Sequence, residues 1–150
     1  MKFTISYKLE EHGWAIINIS NGNEIIERPV SYLHDSLLEL AEMALQIKSG
    51  ISESITIFMD EPGEIQLRII TNNNEATYEV RSYKDWASWG MHSFDDYELL
   101  LKGTTTPTRI IQQITKVLWE INKNIGPEKY KELWCEHEFP KEQYNKLANA

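Results

Sequence analysis

Ser54-Ile-Thr-Ile-Phe-Met-Asp60, Ile65-Gln-Leu-Arg-Ile69 and Ala76-Thr-Tyr-Glu-Val80 decide the fold. Each run alternates apolar and polar residues, and the turn residues Glu61-Pro62-Gly63-Glu64 and Asn72-Asn73-Asn74 lie between them. A period of two in successive runs is the signature of an antiparallel sheet with one buried side. Read that way, Ile55, Ile57 and Met59 share a face with Ile65, Leu67, Ile69, Ala76, Tyr78 and Val80. Asn tolerates left-handed backbone angles, so Asn72 to Asn74 suits the second reversal. Pro62 presets φ in the first, and Gly63 is expected to take its special conformation.

Upstream, Phe3, Ile5, Tyr7 and Leu9 alternate as a half-buried strand, and Gly13 in the following turn is free to take positive φ. Trp14 to Ser20 returns as a second strand up to the turn Asn21-Gly22-Asn23. Glu24 to Arg28 reads as a short third strand. Ser31 is placed to cap a helix running to about Ser49, whose stripe comprises Leu33, Leu37, Leu40, Ala41, Ala44 and Ile47. Gly50 follows at the C-terminal cap.

Downstream, residues 85–96 are irregular and aromatic, holding Trp86, Trp89, Met91 and Phe94. Tyr97, Leu99 and Leu101 suggest a further strand ending at Gly103. Thr106-Pro107 starts a helix with apolar stripe Ile110, Ile111, Ile114, Val117, Leu118 and Ile121. Gly126-Pro127 starts another, carrying Tyr130, Leu133 and Trp134, and a last short helix follows Phe139-Pro140. The expected architecture is α+β: an antiparallel sheet of five or six strands with helices packed on one face. No repeat or linker interrupts the 150 residues, so 1–150 reads as one domain.

Charge narrows the function. The formal net charge of −8 divides unevenly: residues 1–101 hold 7 basic and 17 acidic side chains, and residues 102–150 hold 8 and 6. So acidic a surface repels phosphate backbones and favours a basic protein partner over nucleic acid. No run is long or apolar enough for a signal peptide or a membrane span. One cysteine, Cys135, excludes an internal disulfide, and the expected location is the cytoplasm.

Catalytic and metal signals are weak. His12, His34, His92 and His137 include no pair at ligand spacing, and Cys135 and His137, two apart on an expected helix, point in different directions. Cys135 beside Trp134 reads as a small buried hydrophobe. Asp60, Glu61 and Glu64 invite a paired-carboxylate reading, but an exposed hairpin tip works against the raised pKa that a general acid needs. The expectation is a protein that is not an enzyme and carries no cofactor and no metal.

The aromatic loop is the more informative stretch. Tryptophan is enriched among residues that dominate interfaces. Asp85, Asp95, Asp96 and Glu98 surround the rings with no lysine or arginine from 85 to 98. If the loop and the hairpin tip share an edge, Asp60, Glu61, Glu64, Asp95 and Asp96 form an acidic rim around anchors Trp86 and Trp89. The alternative is that these rings cap the open end of the core.

Three segments together carry a resemblance: Ser31-Tyr-Leu-His-Asp-Ser-Leu37, Asp60-Glu-Pro-Gly-Glu64, and Tyr130-Lys-Glu-Leu-Trp134 with Phe139-Pro140 and Leu147. The chain resembles small cytoplasmic bacterial proteins that include relatives of the immunity proteins of polymorphic and contact-dependent toxin systems. The resemblance implies a non-enzymatic protein that occludes a cognate toxin, and it brings no catalytic residues. A nuclease toxin would offer the basic face that the acidic surface requires. A general interaction or scaffold module is the alternative, and an unrecognised enzyme the third reading.

Overall fold

The computed structural model describes residues 2–60 and 63–148. Seven strands follow one another in a single antiparallel meander: β1 Thr4–Leu9, β2 Trp14–Ser20, β3 Ile25–Ser31, β4 Glu53–Met59, β5 Glu64–Asn72, β6 Glu75–Tyr83 and β7 Glu98–Thr105. Helix α1, Ser36–Lys48, separates β3 from β4; α2 Pro107–Asn124, α3 Pro127–Leu133 and α4 Lys141–Ala148 complete the chain. The fold is α+β, with seven strands where sequence periodicity suggested five or six. The third strand is longer than expected, because it continues through Pro29 to Ser31.

The sheet loosens between β3 and β4. Glu10 N–H donates to Trp14 O at 2.8 Å, which fixes the alternation of hydrogen-bonded pairs along β1 and β2. Ile16 then spends its backbone groups on β1, so its β3 partner Pro29 turns its nitrogen away from β2. That nitrogen carries no hydrogen, so no ladder bond is lost there. Among the described residues β3 meets β4 at a single pair, Ser31 with Met59, because the antiparallel register carries the rest of β3 past the end of β4. The Ile57 N–H of β4, which lies past the end of β3, donates to Glu39 Oε1 on α1, and His34 Nε2 lies 3.0 Å from the same oxygen.

The helix side of the sheet is the main core. Ile5, Tyr7, Ile17, Ile19, Phe58, Ile65, Leu67, Ile69, Tyr78 and Val80 pack there with Leu37, Leu40 and Ala44 of α1 and with Ile110, Ile114 and Leu118 of α2. On β4 the expected phase is inverted. Ser54, Thr56 and Phe58 face this core, while Ile55, Ile57 and Met59 face the other way. The polar pair is accepted because α1 meets it: Ser54 Oγ donates to Gln46 Oε1 at 2.6 Å, and Thr56 Oγ1 to Met43 Sδ at 3.4 Å.

Other boundaries shift for local reasons. Asp35, not Ser31, caps α1 by accepting from Leu38 N–H, and Leu33 lies outside the helix, exposed. Asp35 also accepts Trp134 Nε1 at 3.3 Å, tying the helix start to the end of α3. Thr106 Oγ1 caps α2 by accepting from Arg109 N–H at 3.1 Å, as the Thr-Pro signal implied. A bulge between β6 and β7 places Leu101 opposite Val80 and Leu99 opposite Arg81, so the two leucines do not share a face. Cys135 and His137 sit beyond α3 in a turn, with Cys135 at φ 50° and exposed rather than buried.

Candidate protein-binding site

The chain from Lys84 to Tyr97 crosses the face of the sheet opposite the helices. Its short 3-10 turn, Ala87–Trp89, is pinned from below by Glu64 of β5. Glu64 Oε1 accepts from both Ser88 N–H (3.0 Å) and Ser88 Oγ (2.7 Å), and Oε2 accepts from Gln66 Nε2 at 2.7 Å. Gln66 Oε1 in turn accepts from Arg68 Nε at 3.0 Å. These bonds satisfy a carboxylate with no solvent exposure, and they fix the loop on a strand rather than leaving it to drift.

Tyr83, at the end of β6, anchors the second half. Its hydroxyl donates to Phe94 O at 2.9 Å, while the His92 and Phe94 rings stand edge-on to it. His92 Nε2 lies 2.9 Å from Asp96 O and 3.2 Å from Asp96 Oδ2. The guanidinium of Arg81 lies 4.1 Å from the Tyr97 ring centre. Gly90, at φ 77°, ends the 3-10 turn in the left-handed conformation that glycine adopts readily.

The underside of the loop is therefore a small second core: Ala87, Tyr83, Met59, Glu64 and Gln66 are all buried. Its upper side is open. Trp89 is 52% exposed, Met91 60%, Phe94 49% and Leu99 47%. Asp95, Asp96 and Glu98 are exposed among them. Trp86 is half-buried and stacks edge-on against Trp89 at 4.5 Å between ring centres. Its Nε1 is buried with no hydrogen-bond partner among the described residues.

The seven sequence candidates thus divide. Trp89, Asp95 and Asp96 are all exposed, and Trp86 is half-buried against Trp89. Glu64 is no rim residue: it is fully buried and serves to hold the loop. Asp60 is half-buried near Arg28; burial raises its carboxyl above the usual range, and the Arg28 charge works against that rise. Glu61 lies outside the described residues, as does Pro62. The rings neither cap the end of the main core nor stand free of the fold, because the loop covers the opposite face and shields Met59 there. Met91, Phe94, Tyr97 and Leu99 are exposed as well, and the sequence signal for them was their density within eleven residues that contain no cation.

Among the described residues, no group of three or more His, Cys, Asp or Glu side chains could hold a metal ion, and no helix is long and apolar enough to cross a membrane. Comparison with family models, with curated proteins and with solved structures finds no match to this chain.

Proposed function

We propose that the chain is a non-enzymatic binding protein that engages a basic protein partner through the loop from Trp86 to Leu99. In its most concrete form it is a bacterial immunity protein that occludes a cognate toxin, with a nuclease as the toxin best suited to its charge. One observation carries the reading: exposed apolar side chains, followed in the chain by the exposed acids Asp95, Asp96 and Glu98, ride on a loop whose underside is bolted to the sheet. Aromatic anchors already held in place lose little conformational freedom on binding, which favours affinity. The exposed carboxylates would draw in a basic surface and speed encounter. Occlusion by such a contact is steric and electrostatic, and no bond is made or broken in either protein.

The test is co-expression with the product of the neighbouring reading frame. If that product is toxic, this chain should restore growth and co-purify with it, and Trp89→Ala should weaken both effects. Rescue without a stable complex would defeat the occlusion mechanism. A stable complex with a harmless neighbour would favour a scaffold role instead.

A further inference from the structure

A second surface, on the far edge of the sheet, has the form of a peptide groove. β1 is the first strand of the sheet and, among the described residues, pairs only with β2. The alternation fixed by the Glu10–Trp14 hydrogen bond assigns the backbone groups of Thr4, Ser6 and Lys8 to β2. Those of Ile5, Tyr7 and Leu9 therefore point outward. Phe3, in the same phase, behaves as this alternation requires: its carbonyl accepts Arg109 Nε of α2 at 3.1 Å. Among the described residues, the outward groups of Ile5, Tyr7 and Leu9 have no such partner.

Two cavities, of about 490 and 470 Å³, lie end to end along this edge. The first is lined by Thr4, Ile5 and Ser6, the second by Ser6, Tyr7, Lys8 and Leu9, and Asn18 lines both. Tyr7 and Leu9 point toward the helices and Ser6 and Lys8 away from them, so the second cavity opens at the strand's edge, while the first also reaches Ile25 of β3 and spreads onto the outer face. The opposite wall is α2, from Arg109 through Lys116 to Glu120 and Asn124. β1 and this stretch of α2 run alongside each other for roughly 20 Å, the length of about six extended residues.

We propose that this groove accepts an extended segment of a partner protein, which adds as an eighth strand to β1 and carries acidic side chains toward α2. An unpaired strand edge supplies main-chain affinity for such a guest, and the flanking helix reads its side chains. The sign of the guest follows from the lining. Lys8, Arg109 and Lys116 face one carboxylate, Glu120, which already lies 3.9 Å from Lys116. This is a cationic strip on a protein of net charge −8, so it selects against the basic partner that suits the aromatic loop. The groove and the loop lie on different elements, and either proposal can fail alone.

The probes are a short acetylated peptide alternating Glu and Val, its Lys-Val counterpart, and the Glu-Val peptide N-methylated at alternate amides. Binding is read by amide hydrogen exchange in the full chain. With the Glu-Val peptide, the Ile5, Tyr7 and Leu9 amides should slow, while those of Thr4, Ser6 and Lys8, already bonded to β2, should not change. N-methylation should abolish the protection, and Arg109→Glu with Lys116→Glu should weaken binding by about tenfold or more. No protection by the Glu-Val peptide, or protection that survives N-methylation, would overturn the proposal. Protection that grows with protein concentration and needs no peptide would overturn it in favour of a second copy of this chain at the same edge.

Discussion

Strand β5 buries both of its faces, and the two burials are chemically different. Ile65, Leu67 and Ile69 point into the helices and are covered by hydrocarbon. Glu64 and Gln66 point the other way and are equally inaccessible; the loop gives Glu64 two hydrogen bonds, and Gln66 is bonded to Glu64 and Arg68. Apolar burial is non-directional and tolerates many neighbours, so it sets the fold. A buried carboxylate must be matched bond by bond, so it dictates where one particular backbone N–H goes. The helix face makes the domain, and the opposite face positions the loop.

Breaking the helix face should have the larger effect. Leu67→Ala removes a fully buried side chain between Thr56 and Val80 and should cost about 2–5 kcal/mol, measured by equilibrium unfolding. A change of only a few tenths would mean that Leu67 does not belong to the core. Gly63→Val tests the junction between the faces. Gly63 is not in the left-handed region, contrary to the expectation from its turn; a Cβ there would sit 2.2 Å from Tyr83 O. Close approach of the β6 backbone is what requires glycine, and valine should destabilise by about 1–3 kcal/mol with displacement of Tyr83. Wild-type stability in this variant would mean that the hairpin end opens without cost.

Breaking the loop face should have a smaller and more local effect. Glu64→Ala leaves Ser88 N–H and Gln66 Nε2 without their acceptor, at a cost of about 1–3 kcal/mol. Its distinguishing outcome is regional: proteolysis and hydrogen exchange should rise across residues 84–97 while β4 to β6 keep their protection. Uniform loosening of the whole domain would show that the carboxylate supports the fold and not the loop.

The single-pair seam between β3 and β4 adds a dependence on pH. Desolvation lowers the His34 pKa, but the hydrogen bond to Glu39 and the charges of Glu39, Asp35 and Glu64 outweigh it, and the net shift is upward from 6.5. A group whose pKa is raised in the folded state stabilises fully below its unfolded value and loses that contribution as pH rises through the folded value. Stability should therefore decline slightly above pH 6.5, across the His34 titration, and Glu39→Gln should both lower the His34 pKa in an NMR titration and flatten the decline. A His34 titration at or below 6.5 in the wild-type chain would remove this account of the seam.

These contrasts show why the sequence was legible in some places and not in others. Hairpin β1–β2, the phase of β5 and β6 and the stripe of α2 were readable because alternation and capping residues are local signals. β4 misled because its isoleucines face the loop side while Ser54 and Thr56 face the helices, where Gln46 and Met43 happen to receive them. Only the tertiary partner decides that phase. Glu64 misled for a related reason, since a carboxylate at a hairpin end reads as exposed until a serine from 24 residues away is seen to bind it. Trp89, Asp95 and Asp96 are exposed, so for them the local sequence chemistry is also the surface the fold presents.

That last property gives the smallest expected effect on stability and the sharpest test of the comparison. Trp89 is half exposed and Asp95 and Asp96 are exposed, so replacing them should shift unfolding by no more than about 0.5 kcal/mol. Against the partner, the same substitutions should separate kinetically. Asp95→Asn with Asp96→Asn weakens only the long-range field, so it should lower the association rate and reduce its salt dependence, since screening already confines that field to about 8 Å at physiological ionic strength. Trp89→Ala removes short-range contact area and should raise the dissociation rate while leaving association nearly unchanged. Stopped-flow association across a salt series, paired with dissociation by dilution, resolves the two. If Trp89→Ala instead destabilises the fold as Leu67→Ala does, the ring belongs to the second core and the loop is a cover rather than a contact. If neither variant alters either rate, the partner binds elsewhere on the protein.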